Sequence, residues 1–344
     1  MLREEICFLM TSNQKYVFSL LCFVLIISGS GGSVHGRRLL SQARPDPNNI
    51  APFARWLVSQ NSWGVLSTIA DDLGGAPFGN VVSFSDGLPE QGIGVPYFYL
   101  TTLDPTAQYA LKDHRSSFTI SEYPVGTCGK TDPENPTCSK ITLTGKLNEL
   151  DAKSNEAATA KNYLFAKHAE MKDWPKDHNF RVFKLDIEEI FLINYFGGPK
   201  PLTVDQYLHP GKFIPPLVAA GYHGTLLRTG SAHDDRRSLP HNRPNRSNAR
   251  AFARWLVAES NWGVLSTVAD ELGGAPLGDV VLYSDGQPYH GTGIPYFYLT
   301  SVDPIVRYAL EAHRSSFTIS EYPLGTCGSI DPETCSKITL SGRV

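Results

Sequence analysis

The sequence predicts a mainly β protein: a closed or partly closed antiparallel barrel with flanking helices, present once in full and once more in part. Three observations lead there. The stretch from Phe53 to Leu147 occurs twice: Phe53-Ala54-Arg55-Trp56-Leu57-Val58 returns as Phe252 to Val257, Trp63 to Thr68 as Trp262 to Thr267, and His114 to Ser121 as His313 to Ser320. The copies run in a single register apart from one gap near Asn135-Pro136, and so long a period marks a duplicated domain-sized unit, not a solenoid. Within the first copy, roughly six or seven short runs rich in β-branched and aromatic residues alternate with turn signals. The chain's 344 residues leave room for two domains.

Each element follows from local pattern. Asn49 to Asn61 carries Ile50, Phe53, Leu57 and Val58 at helical spacing, with Trp56 beside them. Gly64 to Ala70 is a strand, ended by the turn Asp71-Asp72-Leu73-Gly74-Gly75-Ala76-Pro77. Val81 to Phe84 is the next strand, with Asp86-Gly87 as a hairpin signal, and Pro96 to Thr101 is a third. Asp104-Pro105 suits the N-cap and first position of a helix over Thr106 to Asp113. Ser117 to Glu122 and Lys140 to Leu147 are strands joined by a cysteine-bearing loop. Ala152 to Met171 is helical by composition, Phe180 to Phe196 holds two strand-like pieces, and Leu202 to Leu208 a short helical turn. Tyr97, Phe98, Tyr99, Phe118 and Tyr123 suit a barrel wall packed on helices.

Residues 1–36 form a signal peptide and its leader: Lys15, an apolar run from Tyr16 to Ile27, then small residues from Ser28 to Ser33. Cleavage is expected between Ser28 and Gly36, with Met1 and Met10 both available as starts. The run is too short to span a bilayer. Residues 37–48 are a flexible leader, 49–210 the complete domain, 211–248 a polar linker poor in core-forming residues, and 249–344 the incomplete second copy. That copy ends where the shared stretch ends, without the helix and strands that follow Leu147. Its open sheet edge and uncovered wall, with Trp262, Phe297 and Phe317, lead us to expect order only when it docks on the first copy.

A net charge of −3 and the lack of a basic cluster with interleaved aromatics argue against nucleic acid as a partner. Of the six cysteines, Cys128 with Cys138 and Cys327 with Cys335 hold the same place in each copy. Lone pairs cannot complete a tetrahedral zinc site, which leaves either disulfides or free thiols, and a secreted chain favours disulfides. Asn245-Arg246-Ser247 is a glycosylation sequon in the linker; Asn135-Pro136-Thr137 is blocked by its proline.

No familiar catalytic set is present: there is no G-x-S-x-G, H-E-x-x-H or Rossmann fingerprint. Gly129-Lys130-Thr131 lacks the earlier glycine of a phosphate loop, and Asp71-Asp72 reads as a solvated turn before it reads as an acid/base pair. The best constellation is Arg115-Ser116-Ser117 beside His114, with its twin Arg314-Ser315-Ser316. One fixed cation and two hydroxyls could hold a phosphate. Alternatively, Arg115 pairs with a carboxylate such as Glu122 while the serines cap and start local structure.

Trp63 to Thr68, Gly75-Ala76-Pro77, Pro96 to Leu100, Asp104-Pro105 and His114 to Ser121, in that order, resemble the CREG family, the cellular repressors of virally stimulated genes. Leu185 to Ile193 and Tyr195 to Leu202 are similar to that family's C-terminal half. The resemblance covers residues 48–210 in full and 249–344 in part. It implies an antiparallel split β-barrel akin to the pyridoxamine-phosphate oxidases, in secreted or endolysosomal glycoproteins that form homodimers. In the oxidases, basic residues at the dimer interface hold the phosphate of FMN. Their usual Arg falls here at Gly79 or Asn80 and their helix-start cation near Gln108, with Arg307 opposite it in the second copy. These departures agree with the flavin-free state the resemblance implies. The expectation is therefore a secretory-pathway, extracellular or endolysosomal/vacuolar binding glycoprotein without cofactor, catalysis or membrane span, a homodimer or an intrachain pseudo-dimer that takes a protein or small-molecule partner on its dimer surface or in a vestigial flavin pocket. An FMN-dependent oxidoreductase, with Arg115, Ser116 and Ser117 on the phosphate, is the alternative.

Overall fold

Turn signals and apolar periodicity set the element order, and the computed structural model describes it for residues 42–211 and 242–344, apart from residues 288, 289, 313 and 329. The expected signal peptide, Cys7, Cys22 and most of the linker lie outside the described residues. Among the described residues no helix is long and apolar enough to cross a membrane.

The first copy starts with α1 (Ile50–Gln60) and continues through β1 (Trp63–Ala70), β2 (Ala76–Leu88), β3 (Gln91–Thr101), α2 (Pro105–Lys112) and β4 (Arg115–Ser121). It is completed by β5 (Lys140–Glu149), α3 (Asn155–Lys167), β6 (Phe180–Ile193) and α4 (Val204–Leu208). The six strands close an antiparallel barrel in the order β1-β2-β3-β6-β5-β4. Side chains alternate across each strand, so one face fills the barrel and the other meets what lies outside. Leu66, Val82, Phe84, Phe98, Phe118 and Ile120 point inward with α1 residues Phe53 and Leu57. Trp63, Val65 and Val81 point outward and are buried as well, against Val264 and Val280 of the second copy. That two-sided burial explains why β1 reads as a nearly continuous apolar run.

Several expectations shift by a few residues, each for a local reason. Asp86-Gly87 is not the hairpin turn but part of β2, where the register slips between Ser85 and Gly87; the Asp86 carboxylate instead accepts from Gly94 N–H at 3.3 Å. The two strand-like pieces from Phe180 are one strand, and the apparent break is a bulge opposite Thr144 and Gly145. Asp104 caps α2 as expected, accepting from Thr106 N–H at 2.8 Å. Of the aromatics read as one wall, Phe98 and Phe118 are interior, Tyr97 and Tyr99 lie under α3 and its neighbours, and Tyr123 meets Trp262 of the second copy. The described part of the leader packs on the barrel: Arg44 lies over the Phe53 ring and pairs with buried Glu122 at 2.5 Å.

The second copy holds α5 (Ala249–Glu259), β7 (Trp262–Ala269), β8 (Ala275–Leu282), α6 (Pro304–Ala312), β9 (Ser315–Ser320) and β10 (Lys337–Gly342). Its strands form an open sheet, β10-β9-β7-β8. Pro295 to Thr300 repeats the β3 sequence but makes only one bridge, Ser284 with Tyr296. In the first copy β3 is held between β2 and β6; with no such neighbour beyond it here, the same sequence stays irregular. Exposure therefore falls on Ile294, Tyr296 and Tyr298, whereas of the residues expected to be uncovered Phe317 is buried, Phe297 is half-buried against it and Trp262 rests on Trp63.

Candidate functional site

The face on which the two copies meet carries a set of buried polar contacts. Its contacts come in reciprocal pairs. Ser67 and Ser266, the same residue in each copy, share a hydrogen bond at 2.8 Å. Thr142 donates to Gly278 O at 2.7 Å, and Thr339 to Gly79 O at 2.6 Å. Lys140 donates to Val280 O at 2.9 Å, and Lys337 to Val81 O at 2.6 Å. Glu134 accepts from Leu282 N–H at 2.7 Å, and Glu333 from Ser83 N–H at 3.1 Å. Within the barrel, Gly64 lets β1 close on β4: a Cβ there would come 2.5 Å from Thr119 O and 2.8 Å from the Phe118 ring.

Strand alternation disperses the sequence-predicted triplet. Arg115 donates to both Asp113 oxygens, at 3.0 and 3.1 Å from Nε, and to the carbonyls of Gly273 and Gly274, at 2.9 and 3.0 Å. Its carboxylate partner is thus Asp113, not Glu122; that bond raises the guanidinium's pKa and lowers the carboxyl's. Ser116 donates to His114 O at 3.1 Å. Ser117, opposite Ser67 on β1, shares its face toward the second copy, and its hydroxyl is buried without a partner. Arg314 mirrors Arg115, lying 3.2 Å from where a Cβ on Gly74 would be. Ser316 accepts from Gly79 N–H at 3.2 Å, and the Ser315 hydroxyl is buried without a partner.

The positions matched to the oxidase cations are occupied differently. A side chain on Gly79 would collide with Thr318 of the second copy. Asn80 donates to both Asp104 oxygens at 3.1 Å and to Thr106 at 2.8 Å, and Gln108 donates to Thr102 O at 2.9 Å. Arg307 lies over the Tyr308 ring. Between the copies, the concavity lined by residues such as Trp63, Thr119, Trp262 and Val280 measures about 10 Å³. These residues do not fit a flavin phosphate, because Arg115 is already bonded to Asp113 and to the Gly273 and Gly274 carbonyls, and the second copy closes the space.

Several charged contacts among the described residues escaped the sequence. Lys140 and Asp279 form a buried ion pair at 3.1 Å; burial pushes the Asp279 carboxyl up to about 7, against the pull of Lys140. Two more lie at matching places: Glu122 under Arg44 in the first copy, and Glu321 under Arg243 and Arg246 in the second. Burial pushes Glu122 and Glu321 up, but Arg44, Thr127 and Ser139 hold the first below its usual range, and Arg243, Thr326 and Ser336 the second. The recurrence of Arg-Pro at Arg44 and Arg243 ahead of each α1-type helix was the available signal.

Cys128–Cys138 and Cys327–Cys335 are bonded pairs, with Cα–Cα distances of 5.1 and 5.8 Å. Glu321 lies beside the second pair, but two sulfurs bonded to each other offer no thiolate to a metal. Asn245 is exposed at the edge of an open groove of about 610 Å³ lined by Arg243, Arg246, Thr326 and Cys327.

The CREG β-barrel family model matches residues 45–209 and again 244–344. The chain is similar to Protein CREG1 of Gallus gallus, 39% identical over 169 residues, covering 47% of this chain and 87% of that protein. It is 37% identical to Protein CREG1 of Homo sapiens over 186 residues, covering 52% and 84%. Among solved structures it resembles a heme-binding protein from Mycobacterium smegmatis, at TM-score 0.39 and 18% identity over 48% of this chain and 62% of that one. It also resembles a putative pyridoxamine 5'-phosphate oxidase from Listeria innocua, at TM-score 0.28 and 18% identity over 40% and 93%. With the family model matched along most of its length, the chain belongs to the CREG β-barrel family.

Proposed function

We propose that this chain is a non-catalytic binding glycoprotein of the secretory pathway, extracellular or endolysosomal/vacuolar, in which the second copy takes the place of a partner subunit on the barrel. The observation that carries the reading is the reciprocal hydrogen bonding between the copies. It occupies the face where the fold's oxidases would hold FMN, and there Arg115 is taken up by neighbouring Asp113 and, across the interface, by the Gly273-Gly274 turn. A dianion bound there would have to displace those bonds, and single contacts do not hold a phosphate tightly. Titration of the purified chain with FMN, followed by flavin fluorescence, is expected to show no binding at micromolar concentration. Saturable micromolar binding that Arg115→Ala abolishes would favour the FMN-dependent oxidoreductase instead.

The same reading makes the chain self-sufficient in its pairing. Sedimentation equilibrium is expected to return the mass of one chain across the micromolar range. A concentration-dependent doubling of that mass would show that the second copy does not stand in for a subunit.

A further inference from the structure

His168 ends α3, its N–H donating to Leu164 O at 2.7 Å, and its ring is buried where the first copy meets the cysteine loop of the second. Both ring nitrogens face acceptors. Nδ1 lies 2.6 Å from the Asp331 carboxylate, and Nε2 lies 2.9 Å from Phe84 O on β2. Asp331 is fixed in turn by the Ser83 hydroxyl, which donates to its other oxygen. Burial pushes the Asp331 carboxyl up, but His168 and Ser83 outweigh it and hold it below its usual range, so the group is a carboxylate. A neutral imidazole has one N–H and can satisfy only one of two acceptors. The full set of bonds exists only with a proton on each nitrogen.

We propose that His168 and Asp331 form a proton-dependent latch that holds the second copy on the barrel in mildly acidic solution and loosens it as the pH rises past neutrality. When the ring loses a proton, either Asp331 or Phe84 O is left buried without its donor, and the loop carrying Asp331 belongs to the part that can move away.

The buried acids raised by docking act in the same direction. Along the first copy the charged groups next to His168 in the chain are Lys167, which pairs with Asp86 of β2 at 3.6 Å, and Glu170, one of whose oxygens is buried without a partner. On the second copy they are Asp331 and Glu333, the latter facing Lys337 and, across the interface, Asp104. Burial pushes Glu333 up to about 8, and at the reciprocal contact it pushes Asp279 up to about 7, with Lys140 opposing and Asp303 adding to the rise. Glu134, beside Lys140, Asp132 and Asp303, is raised by burial too. Acids raised by docking favour it fully below their ordinary values near 4, and that favour is lost as the pH passes through the raised values. Asp331, held low, runs the other way: its contribution is lost only as the pH falls below the carboxylate range. The docked state is therefore best held between those limits, on the acid side of neutrality.

The test is amide hydrogen exchange on the full chain at about pH 5 and about pH 8, corrected for intrinsic rates and read over β7 to β10, with β3 and β6 as the internal control for barrel folding. Wild-type protection of β7 to β10 is expected to fall by more than about tenfold at the higher pH, one hydrogen bond to a charged group being worth at least that factor. In Asp331→Asn the fall is expected to shrink by about tenfold, because an amide can donate to the neutral Nδ1 while still accepting from Ser83. In His168→Ala, protection at pH 5 should drop toward the wild-type value at pH 8. Equal wild-type protection at both pH values, or an undiminished fall in Asp331→Asn, overturns the latch. Neither result bears on flavin binding, so the proposed function stands or falls separately.

Discussion

Replacing Lys140 by Met is expected to destabilise the docked chain by about 3–5 kcal/mol at pH 8, and by clearly less at pH 5. Lys140 and Asp279 are almost fully buried at 3.1 Å, so removing the cation leaves a carboxylate with no counter-charge in a site that water does not reach. Asp279 already has its carboxyl pushed up to about 7 by burial. Without Lys140 it escapes the penalty by binding a proton, which is easy at pH 5 and costly at pH 8. The double variant Lys140→Met, Asp279→Asn should recover most of the loss, since it places at 279 the residue the first copy carries at Asn80. Denaturant titrations of the wild type and both variants at the two pH values decide the matter. A single-variant loss below about 1 kcal/mol, or one independent of pH, would show that the pair is not buried in solution.

Phe118→Ala should cost about 3–5 kcal/mol, through lost burial and the cavity left behind. The ring is fully buried at the centre of the barrel, edge-on to Phe84 at 4.8 Å and to Phe98 at 4.9 Å. Its counterpart Phe317 has similar aromatic partners, Tyr283 and Phe297, both at 4.9 Å. Phe297, however, belongs to the irregular Pro295–Thr300 segment, which can close into a cavity more readily than a closed barrel can. Phe317→Ala is therefore expected to cost less. Equal losses for the two variants in thermal or denaturant unfolding would mean that the second core is as tightly enclosed as the first.

The barrel was legible because its signals are local: Asp104-Pro105 starts a helix, Gly74-Gly75 breaks a strand, and alternating apolar residues mark β1 and β4. What eluded the sequence depends on partners far along the chain. The β3 sequence recurs almost unchanged, yet it is a strand only where β6 lies beside it. The triplet at Arg115 invited a phosphate reading, although consecutive residues on a strand face opposite ways and cannot converge on one anion. His168 sits in a run of charged and small residues that reads as a solvated helix end. Its role depends on a loop 163 residues away. Only the repetition of Asp132-Pro133-Glu134 as Asp331-Pro332-Glu333 hinted that this loop had work beyond holding its cysteines.

The difference between Asn80 and Asp279 reaches further than one ion pair. In an assembly of identical subunits related by a two-fold axis, every substitution on the shared face appears twice, so a buried charge placed there must be tolerated on both sides at once. Joining the halves in one chain removes that constraint. Asn80 can bind Asp104 and Thr106 on one side while Asp279 takes Lys140 on the other, and each half is free to drift toward a different task. The tether also keeps the halves at a fixed effective concentration however dilute the protein becomes. A change that would dissolve a two-chain assembly can thus persist here, which makes this face a place where new specificity can accumulate one side at a time.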